Sequence, residues 1–485
     1  MAQNETEVVQ DGSTEWDPDL EFYATGQAFT RAMDALREVH SGLSDGAGLM
    51  DAPEQAMASP KVLRTLDQDS SNRLRVVLKS IFATGDVTRD GFLHRLYEAI
   101  EDEPWGSRVF LGFSEMVTRH KRSPIFHAAM LTSTVSRFEA HLAMLASDFF
   151  HTAPASLNQV SREEAKEFSL ADLQNLGSVD AAIQAAIESR INKLQFGSIS
   201  DWKGFFKDKL KVDLSLLCDW DEVREIYERR NCVVHHNGVA SQRYVAAVSN
   251  GITVGDILEV DAAYTSRAVV VLEALGTLLL AAVWRKLGAD ADGPNMFLNR
   301  VAYDAMLAER WQYSQVLNEN ILANARDESE KHVAQVNVWL TLKNIHGLEY
   351  IRADVEGWDL SASNDRYLLA QAALLNELDA CFRYIDALLE REDLTAEDLA
   401  TWPLLKDVRS DARSEKYGDL IRRYIEEDVL DDPSLTTQSD SKSEVAPTDS
   451  SHPSEGPEEV LKTSDDIVGD SSPQISGDVE TKDKK

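Results

Sequence analysis

Cysteine is scarce in this sequence: its 485 residues include only three, Cys218, Cys232 and Cys381. An odd number of cysteines cannot pair completely, which excludes a small scaffold held together by disulfide bonds. Free thiols are expected instead, as in a reducing compartment. Residues 1–20 also lack the basic and apolar segments of a secretory signal. The sequence therefore predicts a cytoplasmic protein.

Long apolar runs are equally rare. The longest candidate, residues 268–284, has 17 residues and contains Glu273. A helix needs about 20 apolar residues to cross a bilayer, so this stretch predicts a buried core helix. No contact with a membrane is expected. The chain is nevertheless 43% hydrophobic, which is enough for a sizeable core.

Positive charge is in deficit, with 49 Lys and Arg against 83 Asp and Glu and a formal net charge of −34. Residues 1–20 contain six acids and no base, and residues 431–485 contain fourteen acids and five lysines. Both ends are poor in large apolar residues, so both are predicted to be disordered. The acidic body argues against broad electrostatic binding of nucleic acid, but it does not exclude a small local site.

The sequence has no Gly-rich phosphate loop, no nucleophile elbow and no pair of metal-binding carboxylates. A fragment at Asp86, Thr88 and Asp90 matches half of a calcium loop. Its twelfth position is Tyr97, where a bidentate Glu is required, so a turn before a helix is the better interpretation. Neither a cofactor nor a metal is expected.

Apolar residues recur at helical spacing along most of the chain, which predicts an all-α fold. We divide it into helical residues 21–118 of unassigned role, a helical bundle over 119–288, and helical pairs over 296–427. The pair at 368–385 resembles a tetratricopeptide repeat, but no 34-residue period is present. An ordinary helical bundle is the alternative for this last region.

Two local predictions concern the limits of single elements. Residues 301–321 carry apolar side chains at helical spacing and are predicted to form one helix. The strand signal is confined to residues 243–248 and 252–260, which predict a short hairpin across Asn250 and Gly251.

The stretch most informative about chemistry is residues 222–244. Its apolar residues follow helical spacing, and the Asn-Gly pair at 237–238 predicts the end of the helix. Asn231 and His235 are four residues apart and share a face, and Arg230 flanks that face. A histidine can exchange a proton near pH 7, and an arginine can hold a phosphate or the charge that develops on it. A second copy packed antiparallel would bring two such sets together, an arrangement suited to cleaving a phosphodiester without a metal.

The charge around this helix differs from that of the whole chain. Residues 201–243 contain eight Lys or Arg and eight acids, so their formal charge is zero. Within a strongly acidic protein, this region is the more favourable one for a polyanion.

The pattern also resembles a known family. Arg230, Asn231 and His235 fit the Arg-Asn-x-x-x-His motif of HEPN domains. Several flanking segments are similar to the RiboL-PSP-HEPN branch: 136–142, 207–214, 218–227 and 237–244. Glu139, in the first of them, matches a recurrent acidic position. The resemblance covers residues 122–288, about a third of the chain.

The resemblance implies a helical bundle, a homodimer that pairs two motifs, and metal-independent cleavage of RNA, often in toxin–antitoxin or phage-defence systems. In the implied mechanism the RNA 2′-OH attacks the adjacent phosphate. His235 serves as acid or base, Arg230 stabilises the developing charge and Asn231 orients the reacting groups. Some relatives are non-catalytic, so the alternative is a dimerisation and protein-interaction module. In either case a regulatory protein partner would bind through residues 296–427.

The motif residues also have purely structural interpretations. His235 could stabilise the dipole at the end of its helix, and Arg230 could be a surface cation paired with Glu225 or Glu228 of the same helix. Glu139 is expected to support the site as a partner of Arg230 rather than as a catalyst.

The neighbours of His235 add two further alternatives. His236 is adjacent in sequence and could take the role assigned to His235. Cys232 with the two histidines could indicate a metal site, but their side chains point in different directions and supply no fourth ligand. We therefore expect no metal here.

Overall fold

The computed structural model describes residues 17–51, 66–83, 89–118, 122–158, 169–248, 251–360 and 364–431. Within these ranges the regular structure is helical, and the β pairing is limited to an isolated antiparallel bridge between Val239 and Ile257. This confirms the all-α prediction. The tails predicted to be disordered lie outside the described residues, except that Pro18 already begins a helix and Asp431 still belongs to one. Asp86 and Thr88 of the calcium-like fragment also lie outside them.

The first part of the chain contains α1 (Pro18–Asp51), α2 (Gln68–Phe82), α3 (Arg89–Ile100), α4 (Gly106–Thr118), α5 (Arg122–Thr152), α6 (Leu170–Leu176), α7 (Val179–Gln195), α8 (Ile199–Phe205), α9 (Trp220–His236), α10 (Gln242–Ala247) and α11 (Ala262–Leu287). Helices α2, α3 and α4 share a small core around Leu74, Leu96 and Val109. The main core is formed by α1, α5, α9 and α11.

Helix α1 belongs to this main core, although the sequence placed it in a region of unassigned role. Its buried residues Phe22, Phe29 and Met33 join the core together with Phe138 of α5. A Cβ at Gly276 of α11 would collide with the ring of Phe29, so a glycine there lets the two helices approach closely. The bundle that carries the candidate motif is therefore completed by a helix far upstream in the chain.

The second part contains α12 (Gly293–Leu307), α13 (Trp311–Ala323), α14 (Glu328–His346), α15 (Leu348–Glu356), α16 (Asp365–Leu374), α17 (Leu378–Glu390), α18 (Ala396–Thr401), α19 (Lys406–Ser410) and α20 (Gly418–Asp431). Successive helices pack against each other in the pairs α12–α13, α13–α14 and α16–α17. The chain divides into two units, Met1–Ile421 and Arg422–Lys485, and only the first ten residues of the second are described. The tetratricopeptide resemblance stays a prediction.

The prediction of one helix over residues 301–321 is wrong, because two helices occupy this segment. Helix α12 ends at Leu307 and α13 begins at Trp311. Between them Glu309 has a φ of 56°, in the left-handed region, and the N–H of Arg310 donates to the carbonyl of Ala305 at 2.8 Å. Such a turn ends a helix locally.

The predicted hairpin is also wrong, since its first strand is helix α10. Ser241 caps this helix by accepting a hydrogen bond from the N–H of Tyr244 at 3.2 Å. Tyr244 is fully buried, and its hydroxyl donates to Glu225 Oε1 at 2.8 Å. The cap and this anchored tyrosine favour one helical turn over an extended conformation.

Helix α11 satisfies the length and composition of a membrane span, and it is the one such helix among the described residues. Its side chains Leu272, Leu275 and Leu279 have no exposed surface and pack in the main core. This confirms the prediction of a buried core helix for residues 268–284.

A buried ion-pair cluster joins α1, α11 and the start of α13. Glu273 is 1% exposed and accepts a hydrogen bond from Arg37 Nη2 at 3.0 Å, and its second oxygen contacts Arg310. Asp34 lies 2.6 Å from Arg37 and 3.4 Å from Arg310. Burial raises the pKa of Glu273, and the two guanidinium groups oppose that rise.

A second buried carboxyl gives a testable dependence of stability on pH. Asp148 on α5 is 7% exposed and accepts a hydrogen bond from Thr25 Oγ1 at 3.1 Å. Burial raises its pKa to about 6, so the folded protein binds this proton more tightly than the unfolded chain does. The associated stability is present at low pH and is lost as pH rises through about 6.

We expect Asp148→Asn, which stays neutral, to raise the free energy of unfolding by about 1–3 kcal/mol at pH 8 and by much less at pH 4, close to the ordinary pKa of Asp. Urea unfolding at the two pH values measures the difference. An equal effect at both would contradict a raised pKa.

Candidate functional site

The candidate motif lies at the end of helix α9, which has defined caps at both ends. Asp219 Oδ1 accepts from the N–H of Asp221 at 3.0 Å at the beginning. At the other end Asn237 has a left-handed φ of 51°, and the N–H of Gly238 donates to the carbonyl of Cys232 at 3.0 Å. The helix therefore ends at the predicted Asn-Gly pair.

The back of α9 is fixed by hydrogen bonds centred on Glu225. Its carboxylate accepts from Arg229 Nε at 2.6 Å, from Tyr244 Oη at 2.8 Å and from Tyr264 Oη at 2.7 Å. These bonds tie α9 to α10 and α11. These three hydrogen bonds to Glu225 fix the rotation of α9 about its axis. They therefore also fix the direction in which the motif residues of α9 face.

The face of α9 that carries the motif residues borders an open cleft of about 480 Å³. The cleft brings together every candidate residue of the sequence: Glu139, Arg230, Asn231, His235 and His236. It is also lined by Glu228, which was considered above as a partner of Arg230, and by residues to which the sequence assigned no role: Gln195, Phe196, Gly197, Ser198, Ile199, Tyr227, Ser241 and Arg243. Most of these come from the α7–α8 turn and from α10, which only the tertiary fold places beside α9.

Arg230 is paired with Glu139. Its Nη2 donates to Glu139 Oε1 at 2.6 Å, and the two side chains are 18% and 31% exposed. Burial raises the pKa of Glu139, and the positive charge of Arg230 opposes that rise. The same-helix partners considered for Arg230 are engaged elsewhere: Glu225 binds Arg229, and Glu228 accepts from Arg243 at 2.9 Å.

Two buried donors at the cleft have no hydrogen-bond partner within the described part of the chain: Arg230 Nε and the Tyr227 hydroxyl. Burial raises the pKa of Tyr227 well above its ordinary value, and the nearby Glu139 raises it further. Buried donors are usually satisfied, so these two mark a place where a small movement or a bound group would form new bonds.

The two histidines are exposed at the end of α9, and Asn231 is half-buried. Both His235 and His236 border the cleft, although adjacent residues point about 100° apart on a helix. His235, four residues after Asn231, shares the face of that residue, whereas His236 does not. Cys232 is buried, and its Sγ contacts Ser241 Oγ at 3.6 Å. Among the described residues there is no group of three or more His, Cys, Asp or Glu placed to hold a metal ion.

Comparison of the chain with protein-family models, with curated proteins and with solved structures finds no match.

Proposed function

We propose that this chain is a metal-independent endoribonuclease of the HEPN type that acts in the cytoplasm, in a toxin or phage-defence context. The observation that carries the proposal is the cleft at the end of α9. It combines an exposed imidazole of His235, the guanidinium of Arg230 and the amide of Asn231 within about 480 Å³. An imidazole can transfer the protons of RNA transesterification, a guanidinium can stabilise the charge on the phosphorane, and an amide can orient the phosphate.

In the proposed reaction the ribose 2′-oxygen attacks the adjacent phosphorus and the bond from phosphorus to the 5′-oxygen breaks. One histidine takes the proton of the 2′-OH, and a second imidazole gives a proton to the leaving 5′-oxygen. The products are a 2′,3′-cyclic phosphate and a 5′-hydroxyl. Arg230 stabilises the charge on the phosphorane oxygens, and Asn231 orients the phosphate.

The direct test is incubation of the purified chain with single-stranded RNA in EDTA, beside an Arg230→Ala/His235→Ala double variant. We expect the wild type to produce fragments with cyclic phosphate ends and the double variant to produce none. Cleavage that stops in EDTA, or that persists in the double variant, would place the activity in another site or in a contaminant.

A dimer is part of this proposal, because one copy supplies only one set of motif residues to a phosphate. We expect two copies to pair through α9 and its neighbours with two-fold symmetry. Light scattering at micromolar concentration should therefore give twice the 54.0 kDa of one chain. A stable monomer that still cleaves RNA would show that one cleft suffices.

One observation favours a second candidate, a non-catalytic dimerisation and protein-interaction module. Both guanidinium groups at the cleft are already neutralised, Arg230 by Glu139 and Arg243 by Glu228. Glu139→Gln distinguishes the two candidates, because it removes the charge that competes with a phosphate for Arg230. A nuclease should bind RNA more tightly after this change, whereas a module that does not bind RNA should be unaffected.

A further inference from the structure

The rim of the cleft carries an aromatic side chain that does not pack in the main core. Phe196 is 94% exposed, the highest value among the large apolar side chains of the described residues. It borders the same cleft as Arg230, Asn231 and His235. Leaving a phenyl ring in water forgoes about 1.5–3 kcal/mol of burial, so a ring held there by a rigid backbone is well suited to a ligand.

The backbone that presents Phe196 is firmly anchored. Its flanking residues Leu194 and Ile199 pack in the main core, whereas Phe196 itself does not. Asp201 Oδ2 accepts from the N–H of Ser198 at 2.6 Å and from its hydroxyl at 2.8 Å. A Cβ at Gly197 would lie 2.7 Å from the same Asp201 oxygen, so a larger residue there would displace the side chain that fixes Ser198. Because this backbone is already ordered, little conformational entropy would be lost when a ligand binds to the ring.

We propose that Phe196 is a base-stacking platform that holds one nucleotide of single-stranded RNA beside the reacting phosphate. The inference rests on the proposed ribonuclease function and names the feature of the substrate that the cleft recognises. Unpaired RNA bases stack on aromatic side chains, and such stacking accepts any base because every base has a π-face. The ring would hold the base while Arg230 and Arg243 face the phosphates.

The surroundings of the ring favour a nucleotide over a second copy of the chain. An apolar anchor of a protein interface normally enters an apolar pocket. The residues that line this cleft with Phe196 are mostly polar: they include two imidazoles, amides, and two guanidinium groups, each paired with a carboxylate that a phosphate would have to displace. A nucleotide is complementary to this surface, because its flat base can stack on the ring while its phosphate and hydroxyl groups contact the polar side chains.

The proposal predicts how the full-length chain binds a 2′-O-methyl single-stranded oligoribonucleotide, which lacks the attacking hydroxyl and cannot be cleaved. Measured by fluorescence anisotropy, Phe196→Ala should weaken binding by about tenfold or more, the effect of one base–aromatic stack. Phe196→Trp should retain wild-type affinity. The matched control is Leu216→Ala, because Leu216 is 85% exposed and does not border the cleft; it should bind normally. Annealing the complementary strand should weaken binding to the wild type and abolish the difference caused by Phe196→Ala.

The outcomes separate this proposal from the one it rests on. Tight binding that Phe196→Ala does not change would overturn the stacking platform and leave the nuclease intact. Binding that depends on Phe196, without any cleavage of unmodified RNA, would support the platform and overturn the nuclease. No binding to the wild type would overturn both. A Phe196→Ala variant whose mass by light scattering halves while its RNA affinity is unchanged would assign the ring to a contact between copies.

Discussion

His235→Ala is expected to slow RNA cleavage by about a hundredfold or more. The expectation follows from the loss of a group that transfers a proton in the rate-limiting step. Because His235 is exposed at the end of α9, its removal should change the free energy of unfolding by no more than about 1 kcal/mol. Initial rates on a defined oligoribonucleotide and a urea unfolding curve, both measured on one preparation, test the two statements together.

His236→Ala is the matched control for this prediction. It removes the same chemical group from the adjacent position, at the same helix end and with similar exposure. The two rings point about 100° apart, so only one of them can share a face with Asn231. We expect His236→Ala to retain most of the activity. Equal losses from the two changes would mean that either ring can transfer the proton, and a larger loss from His236→Ala would reverse the assignment.

Glu273→Ala is expected to destabilise the fold by about 3–5 kcal/mol, the largest effect on stability that we predict. The reason is that Glu273 is 1% exposed and binds both Arg37 and Arg310. Its removal would leave two largely buried cations with only the half-exposed Asp34 as a counter-ion. Chemical denaturation of the purified variant gives the loss directly.

Asp34→Ala provides the comparison, since Asp34 contacts the same two arginines but is 48% exposed. An exposed ion pair contributes little, so this change should cost no more than about 1 kcal/mol. Glu273→Gln keeps the size of the side chain and one acceptor oxygen, and it should fall between the two. A loss below 1 kcal/mol for Glu273→Ala would show that the cluster does not hold α1, α11 and α13 together.

The helical class and the end of α9 were predictable because they depend on local rules. Apolar spacing defines most helices, and the Asn-Gly pair at 237–238 ends α9 in the left-handed conformation. The sequence also indicated five residues that the fold brings to one cleft. Helical spacing and side-chain chemistry indicated Arg230, Asn231 and His235, adjacency added His236, and the family resemblance added Glu139. Their catalytic role stays a prediction.

The errors and omissions arose where tertiary contacts decide the outcome. Helix α10 forms because Tyr244 reaches Glu225, a contact across 19 residues that period-2 alternation cannot reveal. The ion pair between Arg230 and Glu139 spans 91 residues, and it was expected only because the family resemblance had pointed to Glu139. Nothing in the sequence indicated Phe196, because its exposure and its position beside the cleft depend on the tertiary structure.

The contact between α1 and residues near 290 has a consequence for folding during synthesis. Asp19 near the start of α1 accepts hydrogen bonds from Trp284 Nε1 and from the N–H of Asp290, 271 residues further along. At a translation rate of about 5–20 residues per second, α1 waits roughly tens of seconds on the ribosome before these partners emerge. Helix α5 is synthesised earlier and already offers α1 a packing partner, whereas the contacts of Asp19 complete the main core only after residue 290 has been added.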